Sequence, residues 1–179
     1  MNIYLEFLGC RLNEAEQSSW TRQFQAMGHQ VVANPEDSDV MALNTCAVTS
    51  AAAKKSRKTL RQLHRKNPQA KLVATGCYAT LSPEKIEDVL GVDMIVPNAE
   101  KSEMAEKILS AWGDDMPKAS QDPLSQPSFA QTRTRAFIKV QDGCRNRCSF
   151  CIVTKARGDE RSRKVSEIVA EVNQLHTMG

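Results

Sequence analysis

The sequence lacks a hydrophobic run long enough to cross a membrane, and it lacks an internal repeat and a secretory signal peptide. Its first residues, MNIYLEFL, have no basic leader, and Glu6 interrupts their short apolar run. These absences argue against secreted and membrane-spanning classes and predict a cytoplasmic protein. Because thiols stay reduced in that compartment, we interpret the six cysteines as metal ligands rather than as members of disulfide bonds.

Acidic residues are missing from one long stretch of the chain. The 179 residues carry a formal net charge of +3, yet no acid lies between Ser50 and Asn67. Seven bases share that stretch, which is predicted to be a helix: Lys54, Lys55, Arg57, Lys58, Arg61, Arg65 and Lys66. Like charges repel, so RNA phosphate is a reasonable counter-surface. An ordinary solvated helix surface is the alternative.

The first 112 residues alternate between short apolar runs and helix-like stretches, which is typical of a parallel sheet flanked by helices. The sequence predicts strands over 3–8, 30–33, 40–43, 71–75 and 93–96. It predicts helices over 14–27, 51–66 and 101–112, and another that begins at Ser82-Pro83-Glu84. For the first helix, Asn13 is the expected N-cap, Glu16 occupies the capping-box position and Gly28 follows the end. The predicted class is α/β with an open parallel sheet.

A change in composition divides the chain. Residues 113–132 hold three prolines among Ser, Gln, Asp and Ala, which is typical of a linker. We therefore expect a first domain over 1–112, a linker over 113–132 and a second unit over 133–179. In that unit a strand over 135–140 is predicted to lead into a cysteine loop, and apolar residues at helical spacing predict a helix over 166–178.

Three cysteines, Cys144, Cys148 and Cys151, form a CxxxCxxC string with an aromatic, Phe150, before the last thiol. Iron–sulfur clusters are usually held by four thiolates, so three protein ligands would leave one iron open. This spacing is the signature of radical S-adenosylmethionine (SAM) enzymes, whose open iron chelates SAM. A zinc site that uses His176 as a fourth ligand, or incidental thiols, are the alternatives.

The other three cysteines, Cys10, Cys46 and Cys77, each follow a predicted strand. The carboxyl ends of parallel strands meet at one edge of a sheet, where ligand sites form, so these thiols can converge despite their separation in sequence. A glycine precedes two of them, at Gly9 and Gly76, and permits close approach of the backbone. Three more thiols are compatible with a second cluster with an open iron. Buried cysteines that act as small apolar residues are the alternative.

Taken together, these motifs resemble the radical SAM methylthiotransferases. The similarity runs through the chain, in the strings GCRLN at 9–13, NTC at 44–46, GC at 76–77, GCRNRCSFC at 143–151 and RGDERSR at 157–163. Within the family, NTCAVT, the following basic helix with RKNP, and GCYA are most similar to the branch that acts on N6-threonylcarbamoyladenosine in transfer RNA. The sister branches, which modify isopentenyladenosine in tRNA or an aspartate of a ribosomal protein, are less similar after Cys46.

The resemblance implies two [4Fe–4S] clusters and SAM as cofactors. By this resemblance Cys144, Cys148 and Cys151 would hold the SAM-cleaving cluster, and Cys10, Cys46 and Cys77 the auxiliary cluster. Phe150 and Arg157 would lie at the SAM, and no catalytic residue is implied beyond the cluster ligands. The implied partners are the tRNA anticodon region, a reducing electron donor and a sulfur donor, with no membrane and a monomeric protein. Thr154 is a departure, because the family usually has proline three residues after the last cysteine.

The resemblance also implies a longer protein. A complete (β/α)₈ barrel takes ~250 residues, and this sequence has only one strand–helix unit after the linker. We therefore expect an N-terminal fragment whose radical SAM barrel is truncated, which lacks the family's RNA-binding TRAM module and whose activity alone is in question. A non-catalytic iron–sulfur protein and a zinc-dependent RNA-binding module are the competing functions.

Overall fold

A computed structural model describes residues 1–113 and 136–177, and the core of the first range is a five-stranded sheet. The strands are β1 (Asn2–Phe7), β2 (Gln30–Val32), β3 (Val40–Thr45), β4 (Lys71–Gly76) and β5 (Val92–Val96). They lie in the order β2-β1-β3-β4-β5, and every neighbouring pair is parallel. The predicted open parallel α/β sheet is confirmed, and the bounds of its five predicted strands agree with those of β1–β5 to within two residues.

The sheet is covered on both faces, as parallel sheets are. The first-domain helices are α1 (Arg11–Ala26), α2 (Ser50–Lys66), α3 (Cys77–Leu81), α4 (Pro83–Glu87) and α5 (Met104–Trp112), and a 3₁₀ helix (Asn98–Glu103) precedes α5. One apolar layer packs α1 and α5 on the sheet through Trp20, Phe24 and Ile108. The other packs α2 and α4 on the opposite face through Leu60 and Ile86. All six residues of β3 are consequently buried.

The start of α1 differs from its prediction. The helix begins at Arg11 with Cys10 as the N-cap residue, three residues before the predicted start. Asn13 is therefore inside the helix, and its side-chain amide donates to the carbonyl of Leu8 at 2.7 Å. Glu16 forms a buried ion pair with Lys101 at 2.7 Å. The predicted capping box is wrong because the side chains of Asn13 and Glu16 bond to residues outside the helix instead of capping its first turn.

The second described range is smaller and less regular. It contains β6 (Gln141–Asp142), α6 (Val153–Arg157), β7 (Arg161–Ser162) and α7 (Val165–Thr177). The predicted helix over 166–178 is confirmed as α7 within the described residues. The predicted strand over 135–140 is wrong for residues 136–140, which form no strand. A strand requires a hydrogen-bonded neighbour, and the antiparallel pairing with β7 begins only at Gln141.

The predicted linker over 113–132 falls outside the described residues except for Gly113, so the boundaries 1–112, 113–132 and 133–179 stay predictions. Among the helices of both described ranges, none is long and apolar enough to cross a membrane.

Candidate functional site

Three of the cysteines lie at the carboxyl edge of the sheet, as the sequence predicted. Cys46 directly follows β3, and Cys77 directly follows β4 as the first residue of α3. Cys10 ends the short turn that joins β1 to α1. Because β1, β3 and β4 are neighbouring parallel strands in register, the loops that carry these thiols share one edge.

Two glycines let these loops pack closely. Gly9 has φ +96°, and a Cβ there would lie only 2.5 Å from the Sγ atom of Cys46. Gly76 has φ +98°, and its Cβ would lie 2.3 Å from the carbonyl oxygen of Thr45. Both positions therefore require glycine, for conformation and for space. The loop after β1 consequently rests directly against Cys46.

Polar contacts hold Cys46 and Cys77 in place. The backbone N–H of Cys46 donates to the hydroxyl of Ser56 on α2 at 3.1 Å, and that hydroxyl also lies 3.1 Å from the carbonyl oxygen of Cys46. The side-chain amide of Asn98 lies 3.8 Å from the Sγ atom of Cys77. Both thiols are buried, whereas Cys10 is exposed. The interpretation of these residues as small apolar side chains therefore suits Cys46 and Cys77 but not Cys10.

The donor set fits a thiolate-ligated cluster. Across the described ranges, no three His, Cys, Asp or Glu side chains are grouped so that they could hold one metal ion. A four-iron cluster makes a different demand, because each thiolate binds a different iron and the thiols must surround a larger group. Three thiols on neighbouring loops at one sheet edge, one of them open to solvent, are compatible with that demand. Ligation of a cluster by Cys10, Cys46 and Cys77 stays a prediction.

The second cysteine loop folds back on itself. The N–H of Cys144 donates to the carbonyl of Gly158 at 3.1 Å, and the hydroxyl of Thr154 donates to the carbonyl of Cys144 at 2.7 Å. The N–H of Cys151 donates to the carbonyl of Cys148 at 3.0 Å. Thr154 thus closes the loop through its side chain. Cluster binding by this loop stays a prediction.

Phe150 is 91% exposed, so its side chain has room to contact a ligand. Its predicted place at the SAM stays a prediction. Arg157 differs: it is only 5% exposed, and its terminal nitrogens already contact protein. Its predicted contact with SAM stays a prediction, although the geometry favours a structural role.

The structure brings the two cysteine regions together, which sequence analysis alone did not establish. Helix α3, which begins with Cys77, packs against α6, which follows the second cysteine loop. Asn98 connects them, because its side-chain amide contacts Cys77 and also donates to the carbonyl of Ala156 on α6 at 2.5 Å. Asn98 is buried, and its Oδ1 atom has no partner among the described residues.

A second connection is a group of five charged side chains that we call the Glu16 cluster, all of them buried except the partly exposed Lys139. It consists of Glu16, Lys101, Lys139, Asp142 and Arg157. The guanidinium of Arg157 donates to Glu16 at 2.8 Å, to Asp142 at 2.9 Å and to the side-chain oxygen of Asn13 at 2.7 Å. The same oxygen of Asn13 lies 3.9 Å from the Sγ atom of Cys10. The cluster therefore joins α1 and the 3₁₀ helix to the end of α6.

The Glu16 cluster contains three cations and two carboxylates, so it has one positive charge in excess. Burial alone would raise the pKa of Glu16, but Lys101, Arg157 and Lys139 together hold it well below its ordinary value. Burial lowers the pKa of Lys101, Glu16 opposes that shift, and the like charge of Arg157 adds to it. An excess cation beside Cys77 suits an anionic, thiolate-ligated group.

Sequence analysis missed Asn98, Lys101 and the role of Glu16. Asn98 and Lys101 lie in a helical stretch with no unusual pattern, and Glu16 has the spacing of a capping box. The property that these three residues share is that they are polar or charged and yet buried. Burial arises only when segments distant in sequence pack together, so the sequence pattern does not reveal it.

Known proteins resemble this chain over most of its length. Residues 2–97 match the family described as "Uncharacterized protein family UPF0004". The threonylcarbamoyladenosine tRNA methylthiotransferase MtaB of Bacillus subtilis is 35% identical over 96% of the chain and 40% of its own length. The enzyme of that name from Chlamydia pneumoniae is 39% identical over 92% of the chain and 38% of its own length. The ribosomal protein uS12 methylthiotransferase RimO of Chloroflexus aurantiacus is 29% identical over 98% of the chain and 43% of its own length. The chain thus spans about two fifths of the length of these relatives.

Proposed function

Because the chain belongs to the UPF0004 family, we propose that it acts in radical SAM methylthiolation of transfer RNA. The proposed product is the 2-methylthio derivative of N6-threonylcarbamoyladenosine beside the anticodon. The observation that carries the proposal is the contact between α3 and α6, which brings a sheet edge with three cysteines next to a CxxxCxxC loop. A radical reaction that transfers sulfur requires both centres close to one substrate.

The choice of nucleoside is supported by the relatives. Relatives named for threonylcarbamoyladenosine are 32–39% identical to the chain. Relatives with the two sister activities are 29–31% identical. An electron donor, a sulfur donor, a monomeric state and a reducing, cytoplasmic location belong to the proposal.

In the proposed enzyme, Cys10, Cys46 and Cys77 would hold one [4Fe–4S] cluster, and the cysteines of the 144–151 loop would hold the other. When bound, the clusters and SAM would supply one-electron chemistry and the methylthio group. Four residues near the cysteines have structural tasks in this proposal. Asn98 and Arg157 set the separation of the two cysteine regions. Gly9 and Gly76 keep side chains out of the space between the loops.

The first experiment is anaerobic reconstitution of the full chain with iron and sulfide, followed by metal analysis. Two four-iron clusters correspond to about eight irons per chain. Alanine at all of Cys10, Cys46 and Cys77 is expected to remove about four of them, and alanine at the three cysteines of the 144–151 loop to remove the others. About four irons in the unmodified chain, or zinc in their place, would contradict the proposal.

The second experiment tests the chemistry. With a strong reductant and SAM, reconstituted full-length protein is expected to release 5′-deoxyadenosine only when the 144–151 cysteines are present. Full-length protein supplied with tRNA that carries threonylcarbamoyladenosine should yield the 2-methylthio nucleoside by mass spectrometry. A product on isopentenyladenosine or on a ribosomal protein instead would assign the protein to a sister branch.

A further inference from the structure

Helix α2 presents four basic side chains along its outermost surface, which we call the α2 stripe: Lys54, Lys58, Arg61 and Arg65. All four are exposed. Their spacing of four, three and four residues puts them on one face, and the buried residues Leu60 and Leu63 lie on the other side of the helix. At ~1.5 Å per residue the stripe is ~16 Å long, about the rise of four or five nucleotides of one strand.

Acidic partners for the α2 stripe are missing from the part of the chain that the structure describes, where no ion pair involves its four residues. The neighbouring acid Glu36 pairs with Lys66. Glu6 lines the adjacent groove together with Lys55, Arg65 and Lys66, and its carboxylate accepts from the hydroxyl of Tyr4. The seven bases of α2 exceed the net charge of +3 for the whole chain. The remainder of the sequence is therefore net negative, and the positive charge is concentrated on this helix.

This arrangement is unfavourable for the isolated chain. Like charges at i, i+3 and i, i+4 destabilise a helix, and the helix has no acid in its first turn. Arg65 near the carboxyl end is favoured by the helix dipole, but Lys54, near the amino end, is not. A polyanion bound along the stripe would remove the repulsion between these side chains.

The orientation of α2 indicates where such a polyanion would lie relative to the cysteines. The helix begins four residues after Cys46, and Ser56 hydrogen-bonds to the backbone of Cys46. From there α2 runs back along the sheet toward the start of β4, away from the cysteine edge. A strand bound to the stripe would therefore extend outward from the cysteine edge.

We propose that the α2 stripe binds the phosphate backbone of the RNA substrate, at the stem next to the nucleotide that reaches the cysteine edge. This inference rests on the proposed function and adds to it a substrate-binding surface. RNA suits the stripe better than an acidic protein because regularly spaced phosphates match a straight row of bases that has no apolar residue among its members. Lysine and arginine contacts of this kind hold and orient nucleic acid without reading its sequence.

The test compares two triple variants of the full chain that lose the same charge. The stripe variant is Lys58→Gln, Arg61→Gln and Arg65→Gln. The control variant is Lys71→Gln, Lys85→Gln and Lys107→Gln, on β4, α4 and α5.

Binding of a fluorescent anticodon stem–loop RNA is measured by anisotropy between about 50 and 200 mM salt. The logarithm of the RNA-binding constant falls linearly with the logarithm of the salt concentration, and each phosphate contact contributes about 0.7–0.9 to the steepness of that fall. The stripe variant should therefore show a slope that is shallower by about 2 to 3, whereas the slope of the control variant should hardly change. Thermal unfolding should show the stripe variant as stable as the unmodified chain or more stable.

The other outcomes overturn the inference in distinguishable ways. If the stripe variant binds RNA with an unchanged slope, the surface is wrong and the proposed function stands. An equal loss in both variants would mean that only overall charge matters, which also removes the surface. If the unmodified chain binds no RNA at low salt, both the surface and the RNA substrate are wrong. Binding of polyglutamate in preference to RNA would replace RNA by an acidic protein partner.

Discussion

Glu16 is the residue whose loss should destabilise the Glu16 cluster most. Its two carboxylate oxygens accept from Lys101 at 2.7 Å, Arg157 at 2.8 Å and Lys139 at 3.2 Å. Glu16→Gln keeps the shape but leaves Asp142 as the single carboxylate among three cations. The excess positive charge of the cluster then rises from one to two.

The expected cost follows from the burial of Lys101, which is 2% exposed. Without Glu16, the remaining described side-chain hydrogen-bond acceptor for its ammonium is the neutral Asn44, at 3.0 Å, and the ring of Trp20 lies 5.8 Å away. Removing one member of a buried ion pair typically costs about 3–5 kcal/mol, a large share of a total stability of about 5–15 kcal/mol. Glu36→Gln breaks the exposed pair with Lys66 and is the control, with an expected cost below about 1 kcal/mol.

A double variant separates lost charge balance from lost packing. Glu16→Gln with Lys101→Met removes the orphaned cation and returns the excess charge to one. Because a buried pair can often be replaced by uncharged residues at little cost, the double variant should recover at least about half of the loss. Free energies of unfolding are measured by urea denaturation followed by circular dichroism. A cost for Glu16→Gln as small as that of Glu36→Gln, or no recovery in the double variant, would refute this account.

The stability difference between the unmodified chain and Glu16→Gln should depend on pH. The folded-state pKa of Glu16 lies well below its ordinary value of 4.5, so its stabilising contribution is complete above that pH and is lost as the pH falls below it. The difference in unfolding free energy between the unmodified chain and Glu16→Gln should therefore be constant from pH 7 to about 5 and narrow at lower pH. A difference that stays constant down to pH 3 would contradict the assignment.

Two further predictions concern the cysteine edge. Gly9→Ala should destabilise the chain by about 1–3 kcal/mol and lower the iron content after reconstitution, because its Cβ would meet the Sγ atom of Cys46. Gly28→Ala is the matched control, since Gly28 also has positive φ but open space around it, and its iron content should be unchanged; equal iron loss in both would contradict the steric explanation. Asn98→Ala should weaken cluster retention by about 10–100-fold, as expected for a group that contacts a ligand, and should alter the electron paramagnetic resonance spectrum of the cluster at Cys77. An unchanged spectrum and unchanged retention would show that the contact between Asn98 and Cys77 is unimportant.

Much of the fold could be predicted because its signals are local. Short apolar runs predicted all five strands, and the polar residues near 82–84 predicted the start of α4. The placement of Cys46 and Cys77 followed because each comes directly after a buried strand. The strand predicted over 135–140 was wrong for residues 136–140, since strand formation depends on a neighbour that the sequence pattern does not reveal. Helix α3 was missed because its five residues are too few to show a helical period.

Asn13 and Glu16 show where local patterns are insufficient. An Asn followed three residues later by Glu is compatible with a capping box and equally with two inward-facing polar side chains. The distinction depends on Lys101, which is 85 residues away in sequence, and on Arg157, which is 141 residues away. The resemblance placed Arg157 at the SAM, which stays a prediction, and no local pattern predicted that its carboxylate partners come from α1 and β6.

The sequence alone determined the parallel sheet, the succession of strands and helices along the chain and the cysteine spacing, because hydrophobic periodicity and short loops depend on residues close together in the chain. Only the tertiary structure decided that α3 and α6 are in contact and that five charges share one largely buried cluster. The physical reason is that a charged or polar side chain becomes costly only when it is removed from water, and the segments that remove it from water, and the partners that compensate it, come from distant parts of the chain.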